Sequence, residues 1–197
     1  MRAFVAIDIA ETVQSALVEA AEAIAQTTRG IRWVTKENLH LTLKFLGKID
    51  PSHLRGATKM LQEAAARVEP FRIGVQGIGT LPRGSRPRIV YAGIASCSRL
   101  LELAKIVDPA FEGLGILPDS RPFHAHITLG RLRTEKRRSG GPKMRPEDRA
   151  ELIRKIQGFA GVEFGTVTVD RIVLYESRLD PNGPKYTARA LAPLSTG

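Results

Sequence analysis

The sequence predicts a mixed α+β fold made of two similar lobes, and three observations lead to that prediction. Strand-like and helix-like segments occur in similar numbers along the 197 residues, which is typical of the α+β class. A His-apolar-Thr-apolar tetrapeptide occurs twice, at 40–43 and at 126–129, although the halves show no other obvious repeat. With 43% apolar residues the chain can bury a core, which excludes wholesale disorder.

The first half of the chain alternates strand and helix signals. The first helical segment is Ala-rich and ends before Gly30, and Pro51 and Ser52 suit the start of the second, which stops before Pro70. We expect strands at 2–8, 31–34 and 40–46 and helices at 11–29 and 51–68.

The second half continues in this way but contains one strongly basic stretch. We expect strands and helices in the following ranges: strands at 71–77, 88–94, 124–130, 162–169, 171–177 and 185–192, and helices near 98–113 and over 147–159. The stretch 131–145 contains seven Lys and Arg residues and one acidic residue, Glu135. We expect a mobile basic loop there, either a solvated surface or a phosphate-binding segment.

Charge and cysteine content limit the partners and the compartment. The formal net charge is +10, which favours polyanions such as nucleic acid, although many small basic proteins bind none. The single cysteine, Cys97, excludes an internal disulfide framework and a cysteine-based zinc site, so we expect the reducing cytoplasm. The apolar run at the N-terminus is interrupted by Asp8 and Glu11, so we expect neither a signal peptide nor a membrane span.

The repeated tetrapeptide is the main candidate for chemistry. In a strand, residues two apart share a face, so each copy presents an imidazole beside a hydroxyl while its apolar residues face the core. Histidine can act as a general acid or a general base near neutral pH, and threonine hydroxyls can donate to the non-bridging oxygens of a phosphoryl group. If the two copies face each other, one cleft collects four such side chains: His40, Thr42, His126 and Thr128.

Catalysis is not the only interpretation of the histidines. A lone histidine in a strand is more often structural, but the duplicated arrangement favours catalysis. A metal site is disfavoured because no Asp, Glu or Cys at ligand spacing accompanies the pair. His124 would share the face of His126 and line the edge of the cleft, whereas His53 has no partner and is expected at the surface.

With these motifs the sequence resembles the RNA 2′,3′-cyclic phosphodiesterases, also called 2′–5′ RNA ligase-like proteins, of the two-histidine (2H) phosphoesterase superfamily. One departure is Ala125, where the family pattern has proline before the second histidine. The resemblance rests on the two tetrapeptides and on the blocks around them, at 2–7, 33–47, 86–94, 121–131, 174–179 and 183–187.

The resemblance implies a single α+β domain over residues 1–197 with two pseudo-symmetric lobes. Each lobe would be an antiparallel sheet with helices on its outer side, and the two sheets would face a central cleft. The implied reaction is hydrolysis of an RNA 2′,3′-cyclic phosphate to a 2′-phosphomonoester, with no metal or nucleotide cofactor. We also expect a monomer.

Carried over by position, the family's roles fall on five residues. His126 would be the base that deprotonates water, and His40 the acid that protonates the leaving 3′ oxygen, although the sequence does not fix that order. Thr42 and Thr128 would hold the non-bridging oxygens. Arg131 would add positive charge at the phosphate, unless it is simply the first residue of the basic loop.

Aromatic and basic residues near the motifs are further candidates for binding RNA. Phe45, Trp33 and Tyr91 could stack on a base, but each could also be a core residue, and the core is the better expectation for Phe45. Three arginines before a strand could meet the RNA backbone or lie in a solvated turn: Arg83, Arg86 and Arg88.

Two other functions stay open. At the same site a 5′-hydroxyl, rather than water, could attack the cyclic phosphate and join RNA through a 2′–5′ bond. A non-catalytic RNA-end-binding protein would instead show steeply salt-dependent affinity and no turnover. The two complete motifs argue against the second, because binding alone has no use for an opposed acid and base.

Overall fold

The computed structural model describes residues 1–84, 86–133, 144–180 and 183–195. Within these ranges the chain forms nine strands and four α-helices. The strands are β1 (Arg2–Asp8), β2 (Ile31–Trp33), β3 (His40–Lys48), β4 (Phe71–Leu81), β5 (Ile89–Ile94), β6 (His126–Leu132), β7 (Glu163–Val169), β8 (Arg171–Asp180) and β9 (Gly183–Pro193). The helices are α1 (Glu11–Ala25), α2 (Leu54–Ala65), α3 (Ser98–Val107) and α4 (Pro146–Gln157).

The strands form one antiparallel sheet in the order β7-β4-β5-β6-β3-β1-β8-β9, and β2 pairs with β6. Its two halves meet where β3 pairs with β6, at the single residue pair Leu41 and Ile127. The resemblance implied two antiparallel sheets, whereas the strands form one continuous sheet, because the two motif strands pair with each other. Pairing them joins the halves along the motifs themselves.

One face of this sheet packs against the helices. The strand residues Val5, Leu41 and Ile127 are fully buried in one apolar core, which also contains Leu17 of α1 and Leu61 of α2. Since side chains alternate along a strand, the neighbours of these residues point to the opposite face of the sheet. The helices therefore cover one face, and the motif histidines lie on the other.

Most predicted elements are confirmed, and their ends differ for local reasons. Helix α1 ends at Ala25, and the Thr28 hydroxyl and backbone N–H beyond it both donate to the Ile24 carbonyl, which satisfies one of the last carbonyls of the helix. The helix predicted near 98–113 is divided at Pro109, which lacks the N–H that an α-helix interior needs, so a 3₁₀ segment follows. Strand β6 begins at His126 rather than at 124.

Two sequence expectations concern segments outside this core. Of the basic stretch 131–145, residues 134–143 lie outside the described residues. Among the helices of the described ranges, none is both long enough and apolar enough to cross a membrane.

Candidate active site

The two tetrapeptides lie side by side on the paired strands β3 and β6. Because Leu41 faces Ile127 in an antiparallel pair, each motif histidine lies across from the threonine of the other motif. The four polar side chains share the face of the sheet away from the helices and line one cleft of about 990 Å³: His40, Thr42, His126 and Thr128. The structure thus brings together the four residues that the repeat predicted.

Both imidazoles are held in the same way. His40 Nδ1 lies 2.7 Å from the carbonyl oxygen of Asn38, and His126 Nδ1 lies 2.7 Å from that of His124. A carbonyl oxygen only accepts, so Nδ1–H donates in each ring and a neutral ring carries its lone pair on Nε2. Each ring therefore has one fixed nitrogen and one nitrogen available to the cleft.

Burial lowers the pKa of both histidines below its ordinary value. The hydrogen bond to the preceding carbonyl raises each pKa in part, and the positive charge of Arg131 lowers both. The carboxylate of Asp8 raises the pKa of His40 and has no such effect on His126. The two rings therefore share their immediate geometry but differ in their electrostatic surroundings.

A β-bulge at the last residue of each motif changes the direction of the side chains beyond it. Along β1, Val5 pairs with Lys44 and Ala6 pairs with Thr42, so Leu43 is the extra residue of β3. In the same way, Leu129 is the extra residue of β6 against β5. A bulge shifts the alternation of side chains by one position, and both strands show the same order of buried and exposed residues.

The two bulges turn the fifth residue after each histidine toward the cleft. That residue is Phe45 on β3 and Arg131 on β6, and both line the cleft. The expectation that Phe45 belongs to the core is wrong, since its side chain is 64% exposed. Regular alternation would have placed it in the core, and the bulge at Leu43 reverses its direction.

The fourth residue after each histidine has a different role in each half: a buried lysine in β3 and a tightly packed glycine in β6. Lys44 is buried, and its Nζ donates to Asp108 Oδ1 at 2.5 Å and to the Leu117 carbonyl at 2.9 Å. Gly130 occupies the equivalent place in β6, where a Cβ would lie 2.7 Å from Ile31 Cγ2 and 2.9 Å from Trp33 Cε3. Only glycine therefore allows β2 to approach β6 this closely.

Aromatic rings enclose His40 on the cleft face. The Phe4 ring centroid lies 4.8 Å from that of His40, and the Tyr186 ring meets His40 edge-on at 5.2 Å. Tyr175 stacks on Phe4, and its hydroxyl donates to Asp8 Oδ1 at 2.6 Å. Sequence reasoning missed these residues, although the alternation of β1 places Phe4 and Asp8 on one face.

The remaining predicted binding residues lie beside the cleft or away from it. Tyr91 is 8% exposed, and its ring packs against His124 at 5.5 Å and against His126 at 5.8 Å. Among the described residues, neither Tyr91 nor His124 lines the cleft, whereas Trp33 does. The residues that line the cleft also do not include the three arginines that were candidates for contact with the RNA backbone: Arg83, Arg86 and Arg88.

The arrangement suits a reaction at a bound anion. The two imidazoles can each give a proton to a bound ligand or take one from it, and the two hydroxyls can donate hydrogen bonds to its oxygens. Arg131 supplies a positive charge close enough to affect the pKa of both rings. Within the described ranges, no three His, Cys, Asp or Glu side chains come together as metal ligands. These are the features of a paired-histidine phosphoesterase site.

Comparison with known proteins gives the same class. The LigT like Phosphoesterase family matches residues 7–91 and 94–186. A relative from Methanothermobacter thermautotrophicus, named RNA 2′,3′-cyclic phosphodiesterase, is 31% identical over 95% of each chain. A relative of the same name from Aquifex aeolicus is 35% identical over 79% of this chain and 78% of its own.

Solved structures share the fold over the whole chain. A Thermus thermophilus protein superposes with a TM-score of 0.78 at 30% identity and 100% coverage of both chains. E. coli LigT in complex with 3′-AMP superposes with a TM-score of 0.70 at 25% identity, covering 99% of this chain and 98% of its own. The chain belongs to the LigT-like phosphoesterase family.

Proposed function

We propose that the protein is an RNA 2′,3′-cyclic phosphodiesterase that opens the cyclic phosphate to a 2′-phosphomonoester without a metal ion. One observation carries the proposal: two imidazoles on paired strands each present Nε2 to one cleft, with Nδ1 bonded to a backbone carbonyl. The names of relatives at 31–35% identity support the choice of substrate. The donor set supports metal independence, because His and Thr with Arg131 suit an anion better than a cation.

The reaction needs one proton removed and one supplied. His126 Nε2 takes a proton from water as the water oxygen attacks phosphorus, and the bond from phosphorus to the 3′ oxygen breaks. His40 Nε2–H protonates the departing 3′ oxygen. The product has a 2′-phosphate and a 3′-hydroxyl, and one proton returns from His126 to His40 through solvent.

The surroundings of the two rings support this assignment of acid and base. A general acid must carry a proton in the reactive state, and Asp8 stabilises the protonated form of His40 alone. The Asp8 carboxylate is itself held by the Tyr175 hydroxyl. The charge of Asp8 near His40 is thus the observation that supports His40 as the acid and His126 as the base.

Charge that develops on the phosphate oxygens is stabilised by the threonines and by Arg131. The hydroxyls of Thr42 and Thr128 lie across the strand pair from the opposite histidines and can donate to the non-bridging oxygens. Arg131 stands on the same strand as His126, turned toward the cleft by the bulge. Its guanidinium can pair with the phosphate.

The terminal base has an exposed aromatic surface available in Phe45. Its ring faces the cleft beside Phe4, and E. coli LigT, a structural relative, has been crystallised with 3′-AMP. Tyr91 and His124 contact the His126 ring from beside the cleft, and substrate contact through either side chain stays a prediction.

The proposal extends to the organisation of the molecule. The matched bulges and burial of β3 and β6 support two pseudo-symmetric lobes within one domain, each supplying one motif. One chain supplies both histidines, which supports a monomer. The single cysteine supports a cytoplasmic location.

The test uses a short RNA ending in a 2′,3′-cyclic phosphate, incubated with the protein in EDTA. Mass analysis and phosphatase treatment identify the end. We expect a 2′-phosphate with the wild type and a rate lower by about 10²–10⁴ with His40→Ala or His126→Ala. An unchanged end contradicts the proposal, and joining of an added 5′-hydroxyl RNA identifies a ligase instead.

A further inference from the structure

A row of paired residues crosses four strands at one end of the cleft. Arg2 of β1 pairs with Lys48 of β3 on one side and with Ser177 of β8 on the other, and Ser177 pairs with Tyr186 of β9. All four side chains line the cleft. We call Lys48, Arg2, Ser177 and Tyr186 the cationic row.

The two cations of the row have no acidic partner. No ion pair joins Arg2 or Lys48 to another described residue, and both side chains are exposed. Like charges directly opposite each other on neighbouring strands reduce stability. Of the carboxylates that line the cleft, Asp180 pairs with Lys185 at 3.2 Å and Glu37 lies in the turn before β3. An anion bound at the row would offset this repulsion.

The row lies near the reacting centre but is separate from it. The Tyr186 ring centroid lies 5.2 Å from that of His40. The ring centroid of Phe4, two residues after Arg2, lies 4.8 Å from that of His40. Two residues along a strand span about 6.6 Å. Arg131 affects the pKa of both histidines, whereas Arg2 and Lys48 affect neither. The two cations of the row therefore lie apart from the place of the reacting phosphate.

We propose that the cationic row binds the phosphodiester that joins the terminal nucleotide to the preceding one. Phe45 pairs with Phe4 between the row and His40, so a sugar and base placed there would separate the two phosphates. The preferred substrate is then an oligonucleotide end rather than a cyclic mononucleotide. This inference rests on the proposed function.

The test compares two substrates on each protein preparation. One is a nucleoside 2′,3′-cyclic phosphate with a free 5′-hydroxyl, and the other is a dinucleotide with the same end and one internal phosphodiester. The variant is Arg2→Gln with Lys48→Gln. The control is Arg55→Gln with Lys105→Gln, which removes the same charges from exposed positions of α2 and α3. The ratio of kcat/KM values is independent of the folded fraction.

We expect the variant to lower the dinucleotide-to-mononucleotide ratio by about tenfold, mainly through KM, and the control to keep the wild-type ratio. The salt dependence of kcat/KM for the dinucleotide should become shallower by about 0.7 in its logarithmic slope, as for one phosphate contact on a single strand. An unchanged ratio in the variant, or a wild-type ratio near one, overturns the inference.

Binding separates failure of this inference from failure of the proposed function. If the wild type turns over neither substrate, the proposed function fails, and titration calorimetry with the 2′-phosphorylated dinucleotide still tests the row. Binding weakened by about tenfold in the variant supports the row, and equal binding of the variant and the control overturns it.

Discussion

At the residue scale, the proposed catalysis depends on where each imidazole carries its proton. Both Nδ1 atoms are bonded to backbone carbonyls, so only Nε2 can exchange protons with a ligand. Burial favours the neutral form of both rings, the hydrogen bond to the preceding carbonyl offsets part of this effect in each, and Asp8 adds to that offset in His40. The pH dependence of the rate therefore reports these surroundings directly.

We expect a bell-shaped pH profile of kcat/KM with its maximum below about pH 6.5, because both pKa values are lowered. Asp8→Asn removes a charge that raises the pKa of His40, so the alkaline limb should move to lower pH and the acidic limb should stay. Asp170→Asn is the control, since Asp170 also pairs with Arg171. A maximum above pH 7, or equal shifts in both variants, contradicts the assignment.

The threonine hydroxyls can be tested without changing side-chain shape. Thr42→Val and Thr128→Val each remove one donor to the phosphate oxygens, and we expect kcat to fall about a hundredfold with a smaller change in KM. Steady-state kinetics measures both constants. Thr58→Val is the control, because its hydroxyl donates to the Leu54 carbonyl within α2. A loss no larger than that of the control would remove the threonines from the mechanism.

At the scale of elements, the bulges at the ends of the two motifs decide which side chains line the cleft. Strand alternation predicted that His40 and Thr42 share a face, and the structure confirms it. The core was also the expectation for Phe45, and regular alternation would place it there. The bulge that exposes it depends on the register of a partner strand far away in the sequence. For the same reason Phe4, Asp8 and Tyr186 were missed: they reach His40 only through pairing.

Gly130 tests how tightly the second bulge is packed. Gly130→Ala places a methyl group against Ile31 and Trp33, so β2 must move. We expect a loss of about 1–3 kcal/mol in the free energy of unfolding, measured by urea denaturation, and a lower rate because Arg131 is adjacent. Gly161→Ala is the control, since a Cβ there meets nothing within 4 Å. Equal stability of the two variants contradicts the packing argument.

At the scale of the whole molecule, one sheet and one core connect the two halves. The element order and most strand positions could be predicted from periodicity, but the joining of the halves through Leu41 and Ile127 could not, since no local pattern encodes it. The net charge of +10 predicted an anionic partner, and the cleft collects part of that charge at Arg2, Lys48 and Arg131.

This continuity predicts cooperative unfolding. We expect a single thermal transition whose calorimetric enthalpy equals its van't Hoff enthalpy, because both halves share one sheet and one apolar core. Differential scanning calorimetry measures both enthalpies. Two separable transitions would show that the halves fold as independent units.

The most direct test of the paired-histidine mechanism replaces the leaving 3′ oxygen with sulfur. A thiolate leaves without a proton, so the acid becomes unnecessary while the base is still required. On an RNA end with this cyclic phosphorothiolate, we predict that His40→Ala recovers to within about tenfold of the wild-type rate and that His126→Ala stays impaired by about 10²–10⁴. A His40→Ala protein that is as slow on the sulfur substrate as on the oxygen substrate contradicts the account.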